Sequence, residues 1–97
     1  MDDLQIISEP RRRTILQMVW SEERSAGEIA SSFDVTFGAV SQHLAVLRKA
    51  GFVDVRKDGN RRFYRANHGR IGMLKPVLES MWAATLDDLV AAVESDR

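Results

Sequence analysis

The stretch from Thr36 to Gly51, TFGAVSQHLAVLRKAG, has the pattern of a helix with two unlike sides. Val40, Leu44 and Leu47 recur at the i, i+4, i+7 spacing of one buried helix face. The positions between them carry short or planar polar side chains instead of the Glu and Lys of an ordinary solvated face. Thr36 is a good N-cap residue, and Gly51 suits the position after the last turn. The pattern predicts a helix that packs on a core with one side and presents a polar surface with the other.

A shorter helix is predicted immediately before this one. Ser25 to Glu28, SAGE, fits the Ser-x-x-Glu capping box, in which each side chain accepts a hydrogen bond from the other residue's backbone. Ile29 and Phe33 supply apolar positions, and FDVT provides the turn to the next helix. Two helices joined by so short a turn form a helix-turn-helix, here at about residues 25–51.

The segment after this unit, FVDVRKDGNRRFYRAN, alternates in the manner of a β-hairpin. Val53 and Val55 lie on one side of the first strand, DGN has turn chemistry, and residues 63–66 form the returning strand. A basic hairpin directly behind a helix-turn-helix is a wing, at about residues 52–67.

Further helices are predicted on both sides of the helix-turn-helix and wing. Ser8 can cap a helix with Pro10 in its first turn, and a longer helix at about residues 74–95 begins near Pro76. The 97 residues are expected to form one domain. The predicted fold class is mainly α with a β-hairpin wing, a winged helix-turn-helix.

The charge of the chain is concentrated in its middle, although the total is zero, with 14 Lys and Arg against 14 Asp and Glu. Residues 41–70 hold eight basic residues against two acidic ones, a net charge of +6, and each flanking segment carries −3. Such a basic centre attracts phosphate locally. The alternative interpretation is an ordinary solvated charged face.

The polar side of the central helix is a candidate surface for reading DNA. On a wheel of about 100° per residue, Gly38, Gln42, Ala45 and Lys49 lie opposite the apolar stripe. Ser41 lies at the flank of this surface. Ser and Gln can reach base edges in the major groove, and Arg and Lys can reach phosphates. An exposed helix face without a ligand is the alternative.

These residues resemble the winged helix-turn-helix of the ArsR/SmtB-type bacterial repressors. The pattern Val-Ser-x-His-Leu-x-x-Leu-x-x-x-Gly-Phe-Val, followed by Gly-x-Arg-Arg-x-Tyr, carries the resemblance, which covers roughly residues 4–94. It implies a homodimer that binds double-stranded DNA at an inverted-repeat operator and represses transcription, often of its own gene or an adjacent operon.

The resemblance also indicates which residues are expected to contact DNA and which to form a dimer interface. The predicted DNA-contacting residues are Thr36, Phe37, Gly38, Ser41, Gln42, His43, Arg48, Lys57, Asn60, Arg61 and Arg62. For His43, a hydrogen bond within the motif or to a phosphate is as good an expectation as base readout. Because the family builds its dimer from the first and last helices, the predicted dimer interface is Leu4, Ile7, Leu78, Met81, Trp82, Leu86, Leu89 and Val93.

Metal-sensing members of this family carry a Cys-x-Cys motif near the recognition region, or Asp and His ligands on the last helix. This chain has no cysteine, and its predicted last helix has no histidine. His43 and His68 alone make a poor zinc set, because structural zinc sites use about four N or S ligands. No metal and no cofactor are therefore expected, and the chain is more similar to the metal-free autorepressor branch. A small-molecule effector remains open.

Other classes of function fit the sequence less well than a DNA-binding regulator. A winged-helix module that binds protein and not DNA is the main alternative, although it would leave the basic residues without a use. An enzyme is not expected, because no nucleophile with a base and no Gly-rich phosphate loop is present. The chain has no run of 18 apolar residues and no secretory signal pattern, so no membrane partner and a cytoplasmic location are expected.

Overall fold

The computed structural model describes residues 1–84 of the chain. Its elements in chain order are α1 (Asp3–Ser8), α2 (Pro10–Met18), β1 (Arg24–Ser25), α3 (Ala26–Ser31), α4 (Phe37–Lys49), β2 (Val53–Asp58), β3 (Arg61–Ala66) and α5 (His68–Ile71). A 3-10 turn at Gly72–Leu74 follows, and residues 75–84 form a further helix, α6. The predicted last helix is thus confirmed over this part. Three of its predicted interface residues, Leu86, Leu89 and Val93, lie outside the described residues.

The N-terminal region forms two helices where the sequence predicted one. A capping box at Asp2 begins α1, which leaves Ser8 in the last turn of that helix. The predicted cap at Ser8 was therefore wrong. Glu9 caps α2 instead, since its carboxylate accepts a hydrogen bond from the backbone N–H of Arg12 at 3.1 Å. Pro10 lies in the first turn of α2, as expected.

Two arginines of α2 join it to α1. Arg12, which is 9% exposed, donates through Nε to the carbonyl of Ile6 at 2.7 Å. Arg13 donates through Nη1 to the carbonyl of Ile7, also at 2.7 Å. Both carbonyls lie at the C-terminal end of α1, where the helix dipole favours a cation. These two positive charges are thus used inside the fold.

The helix-turn-helix is confirmed as α3 and α4. Ser25 and Glu28 form the predicted capping box of α3, with hydrogen bonds of 3.1 and 3.3 Å. Thr36 caps α4 by accepting from the backbone N–H of Ala39 at 3.2 Å. Gly51 ends the unit with a φ of 81°, the left-handed conformation that favours glycine.

The wing is confirmed as the antiparallel hairpin of β2 and β3, with Gly59 at a φ of 61° in its turn. The short strand β1 pairs with the other edge of β3, in register Ser25 to Phe63. The sheet therefore has three strands in the order β1-β3-β2. This third strand ties the start of the helix-turn-helix to the wing.

The apolar side of α4 packs on a core shared by all the larger elements. Val40, Leu44 and Leu47 are buried, as predicted, together with Phe52 just after the helix. The core also contains Ile6, Ile15, Leu16, Val19, Ile29, Val53, Tyr64, Ala66 and Ile71. No helix within residues 1–84 is both long and apolar enough to cross a membrane.

Two residues predicted for a dimer interface belong to this core. Ile7 is 6% exposed and Leu78 is 0% exposed within the single chain. Their side chains are already covered by their own protomer, so the prediction that they offer surface to a partner was wrong. Of the other predicted residues in the described part, Leu4 is 66% and Met81 is 41% exposed, and Trp82 is half-buried.

An aromatic cluster connects α6 to the region after α2. The Trp20 ring meets the Trp82 ring edge-on, with centroids 4.8 Å apart, and meets His68 in the same manner at 4.4 Å. The His68 Nε2 atom donates to the Trp20 carbonyl at 2.7 Å, because a carbonyl can only accept. The predicted Trp82 stripe is therefore used, at least in part, for packing within the chain.

Candidate nucleic-acid interface

The helix α4 presents a solvent-exposed face that carries no acidic side chain. Gly38, Ser41, Gln42 and Ala45 are exposed on it, as predicted from the helical wheel. Arg48 and Lys49 are exposed in its last turn, where a cation is also favoured by the helix dipole. A helix face that has no acidic side chains and two cations at its end is suited to contact a polyanion.

The N-terminus of α4 is accessible and electropositive. No acidic residue lies in its first turn, in contrast to α3, where Glu28 occupies that turn. At Gly38 a hypothetical Cβ would meet only the Thr36 hydroxyl, at 4.0 Å, so the helix start has an open surface. The N–H groups and the positive dipole end of such a helix start are suited to a phosphate.

His43 differs from the other residues predicted to contact DNA on α4. Its side chain is 20% exposed, and its Nε2 atom lies 3.8 Å from the carboxylate of Glu9, the N-cap of α2. The ring is thus turned toward the α2 side of the core and away from Gln42 and Ala45. Of the alternatives left open by the sequence, contact within the protein matches this placement best.

The wing has two chemically different faces, because side chains alternate along its strands. The inner face carries Val53, Val55, Lys57, Arg62, Tyr64 and Ala66, in the cross-strand pairs Val53–Ala66, Val55–Tyr64 and Lys57–Arg62. The buried residues of this face pack on the core. Its two cations, Lys57 and Arg62, lie farther along the strands, nearer the hairpin turn. The outer face carries Asp54, Arg56, Asp58, Arg61, Phe63 and Arg65. The adjacent Arg61 and Arg62 therefore start from opposite faces, and both line a groove beside Phe37 near the hairpin turn.

The outer face of the wing neutralises most of its own charge. Arg56 donates to both carboxylate oxygens of Glu23, at 2.6 and 3.3 Å, and lies 3.9 Å from Asp58. The hydrogen bond from Arg56 lowers the pKa of Glu23 below its ordinary value of 4.5. The guanidinium groups of Arg56 and Arg61 also lie over the Phe63 ring, at 4.5 and 5.0 Å from its centroid.

Glu23 was not predicted as a partner of the wing. It lies 33 positions before Arg56, and no local spacing connects the two residues. The contact becomes possible only when β1 pairs with β3 and brings the preceding loop alongside the hairpin. The ion pair holds the wing against the body of the protein.

The inner face of the wing and α4 share a groove of about 240 Å³. Its walls are formed by Phe37 and Ser41 from the helix and by Asn60 and Arg62 from the hairpin, with Tyr64 also lining it. No ion pair or hydrogen bond within residues 1–84 engages the side chain of Arg62, or those of Lys57 on the same face of the wing and of Arg48 and Lys49 at the C-terminal end of α4.

The basic residues of the middle segment thus separate into two groups. Arg56 is paired with Glu23, Arg61 lies over the Phe63 ring, Arg65 donates to the Ser21 carbonyl at 3.4 Å, and Arg70 lies against Gly51. The cations on α4 and on the inner face of the wing remain available to a ligand. In the part of the chain that the structure describes, no three His, Asp or Glu side chains are grouped so as to hold a metal ion.

The chain is similar in sequence to known regulatory proteins. Residues 9–55 match a protein family described as bacterial regulatory protein, arsR family. An uncharacterized HTH-type transcriptional regulator of Mycobacterium tuberculosis, Rv0081, is 39% identical over 93 residues, which are 94% of this chain and 81% of the relative. The transcriptional activator HlyU of Vibrio cholerae is 33% identical over 79 residues, or 81% of this chain and 73% of the relative.

Solved structures give the same result for the three-dimensional fold. The crystal structure of a possible transcriptional regulator for arsenical resistance superposes with a TM-score of 0.73 at 39% sequence identity. The superposition covers 95% of this chain and 96% of that protein. The likeness therefore extends over both the helices and the wing.

Proposed function

We propose, from the premise that this chain belongs to the arsR family of bacterial regulatory proteins, that it represses transcription as a homodimer bound to an inverted-repeat operator. Membership in the family makes it a DNA-binding transcriptional regulator of a non-enzymatic class. The oligomeric state, the form of the operator and the direction of regulation are the parts that we propose.

We locate the DNA-contacting surface from the arrangement of cations that form no ion pair within residues 1–84. The exposed face of α4 has no acidic residue, and the cations beside it are not engaged within residues 1–84. The outer face of the wing, by contrast, has its own carboxylates. Phosphate attraction is thus directed to the side on which α4 and the inner face of the wing meet.

We assign different roles to the residues of this surface. Ser41 and Gln42 contact base edges in the major groove, since they are polar, exposed and near the N-terminal half of α4. The start of the helix, Thr36 to Gly38, lies against the sugar-phosphate backbone and the adjoining base. The phosphate-binding cations are Arg48, Lys49, Lys57 and Arg62. Asn60, in the hairpin turn, completes the wing contact, and Arg61, which starts from the outer face, contributes less than Arg62.

The proposed dimer uses exposed apolar side chains of α1 and α6. Leu4 and Met81 are large apolar residues with substantial exposure, and Trp82 lies beside Met81 on the same helix. A two-fold axis through this region would place two α4 helices roughly 34–36 Å apart, one turn of B-DNA, and would require a palindromic site.

Repression is the proposed direction of control, because occupying an operator is sufficient to exclude polymerase from an overlapping promoter. The relative HlyU is described as an activator, so the position of the operator can reverse the sign. We place the protein in the cytoplasm, where bacterial chromosomal DNA lies.

A direct experiment tests the function. The protein would be used to enrich duplexes from a random pool, and also tested on the DNA upstream of its own gene, at two salt concentrations. We expect one palindromic sequence to bind at least about 10³-fold more tightly than random duplex, with affinity falling as salt rises. Binding without any sequence preference, or no salt-sensitive binding, would favour the protein-interaction module instead.

A further inference from the structure

Phe37, the first residue of α4, is an aromatic residue exposed to solvent. Its side chain is 60% exposed. A single exposed apolar side chain carries little meaning by itself, because such residues are common on protein surfaces. The groups around this ring give its exposure a meaning.

The ring lies where the start of α4 faces the wing. It lines the groove that it shares with Ser41, Asn60 and Arg62, and it also lines an adjoining groove beside Gly27. Phe37 and Ser41 are four positions apart, so they lie on the same side of the helix. The ring therefore stands next to a residue assigned to base contact and opposite a cation that no ion pair within residues 1–84 engages.

The chemistry of DNA limits what such a ring can select. A phenyl ring offers no hydrogen-bond donor or acceptor, so it cannot read the polar pattern of a base edge. The apolar group on a base edge in the major groove is the C5-methyl of thymine. The nearby Arg62 can hold a phosphate while the ring contacts a base. The phosphate and the base of one nucleotide would then each have a suitable partner.

We propose that Phe37 is a specificity-determining residue that selects thymine at one position in each half of the operator, through contact with the C5-methyl group. The inference rests on the proposed function, because it requires a specific duplex. It adds the base identity that one residue of the surface prefers.

The test removes the methyl group from the DNA and the ring from the protein. In the enriched duplex, each thymine is replaced in turn by deoxyuridine, which pairs identically but lacks the methyl group. We expect one position in each half where this weakens wild-type binding roughly fourfold, the ratio that corresponds to ~0.8 kcal/mol for one buried methylene-sized group. Phe37→Ala should bind the thymine duplex more weakly and be indifferent to the change at that position.

Two further variants keep the result interpretable. Phe37→Leu should retain most of the methyl sensitivity, because it preserves apolar contact at the helix start. Met73→Ala removes another exposed apolar side chain, 92% exposed and outside α4 and the wing, and should leave the pattern of sensitivity unchanged. Circular dichroism would show that each variant is folded, which the exposure of Phe37 leads us to expect.

The outcomes separate the inference from the function. If no duplex is enriched, the proposed sequence-specific function itself fails. If a duplex is enriched but no thymine is sensitive, the inference on Phe37 is overturned while the function stands. A methyl effect that persists undiminished in Phe37→Ala also overturns it, and would assign the thymine to another apolar residue such as the exposed Ala45.

Discussion

Gln42 occupies the centre of the exposed face of α4, with Gly38 one turn before it and Ala45 and Lys49 after it. These neighbours are small or cationic, so nothing around the amide competes for its hydrogen bonds with a negative charge. A side-chain amide can donate and accept at once, which is the requirement for bidentate recognition of adenine. The residue is therefore suited to specify a base, whereas the cations beside it set the general affinity.

The first prediction concerns this amide. Gln42→Ala should weaken operator binding by about 1–3 kcal/mol per lost base contact, with little effect on random duplex. Gln17→Ala is the matched control, because Gln17 is an exposed glutamine on α2, outside the proposed interface. Fluorescence anisotropy on both duplexes measures the change. Equal binding by Gln42→Ala and the wild type, with native circular dichroism, would remove α4 from the role of base recognition.

Caps that directly precede a clear apolar helical stripe could be predicted from the sequence, whereas the caps at Asp2 and Glu9 were missed and contacts with distant partners could not be predicted. The cap at Thr36 and the box of Ser25 and Glu28 are local hydrogen bonds, so spacing alone identifies them. His43 lies about 60° from Val40 on a helical wheel, which leaves both core and ligand possible. Its actual neighbour, Glu9, belongs to a helix start that the sequence misplaced.

At the scale of elements, the wing is a strand pair whose two faces have opposite electrostatic roles. Alternation places Lys57 and Arg62 together on the inner face, and Arg56 and Arg61 on the outer face. The outer cations are held by carboxylates or by the Phe63 ring. Two arginines adjacent in sequence are therefore expected to differ in their contribution to DNA binding.

The second prediction compares these neighbours. Arg62→Ala should make the dependence of log K on log salt concentration shallower by roughly 0.9, the slope of one phosphate contact, for operator and random duplex alike. Arg61→Ala is the internal control, with the same charge change on the opposite face, and should alter the slope less. Titrations at several salt concentrations give both slopes. A larger change for Arg61→Ala would reverse our assignment of the faces.

The third prediction concerns the attachment of the wing to the body. The pKa of Glu23 is lowered by its hydrogen bond from Arg56, so its contribution to stability is present above 4.5 and is lost as pH falls through the lowered pKa. Glu23→Gln should lower the melting temperature at about pH 7, and the difference from wild type should shrink on acidification.

Thermal melts over a pH series measure this difference. Glu79→Gln, which removes an exposed carboxylate with no ion pair within residues 1–84, is the control for the loss of a charge. If the difference between wild type and Glu23→Gln grows as the pH falls, the ion pair does not stabilise the folded wing.

The hairpin could be predicted because turn residues and alternation coincide within one short segment. The strand β1 could not, because it has two residues and no periodic pattern. Its pairing with β3 depends on the three-dimensional position of α3, which brings Ser25 beside Phe63. The division between α1 and α2 was missed because Ser8 was interpreted as the cap of a single helix, whereas Asp2 and Glu9 each cap one.

At the scale of the whole molecule, assembly depends on which apolar side chains are buried within one protomer and which stay exposed to contact another. Ile7 and Leu78 show that an apolar residue on a terminal helix can be used by its own protomer. Periodicity assigns such residues to the apolar face of a helix. It does not show whether that face is covered by the same protomer or by a partner. Leu4 is the clearest remaining candidate for contact with a partner, because it is 66% exposed on α1.

The fourth prediction tests assembly through this residue. Leu4→Asp should convert a dimer to a monomer in sedimentation experiments, since it places a charge in an apolar interface. Operator binding should fall by roughly 10²–10⁴-fold, because the gain from two linked half-site contacts is lost. Gln17→Asp adds the same charge at an exposed position on α2 and should leave both properties intact. A wild-type monomer that binds a palindrome tightly would contradict the proposed dimer.

The aromatic cluster of Trp20, His68 and Trp82 has an optical consequence. The chain contains two tryptophans, and both lie in this cluster, one on each side of the junction between α6 and the region after α2. Indole emission depends on solvation and on quenching by nearby groups, and two indoles in edge contact give a characteristic near-ultraviolet dichroism. The protein's intrinsic fluorescence therefore reports on the seating of its last described helix, without any attached label.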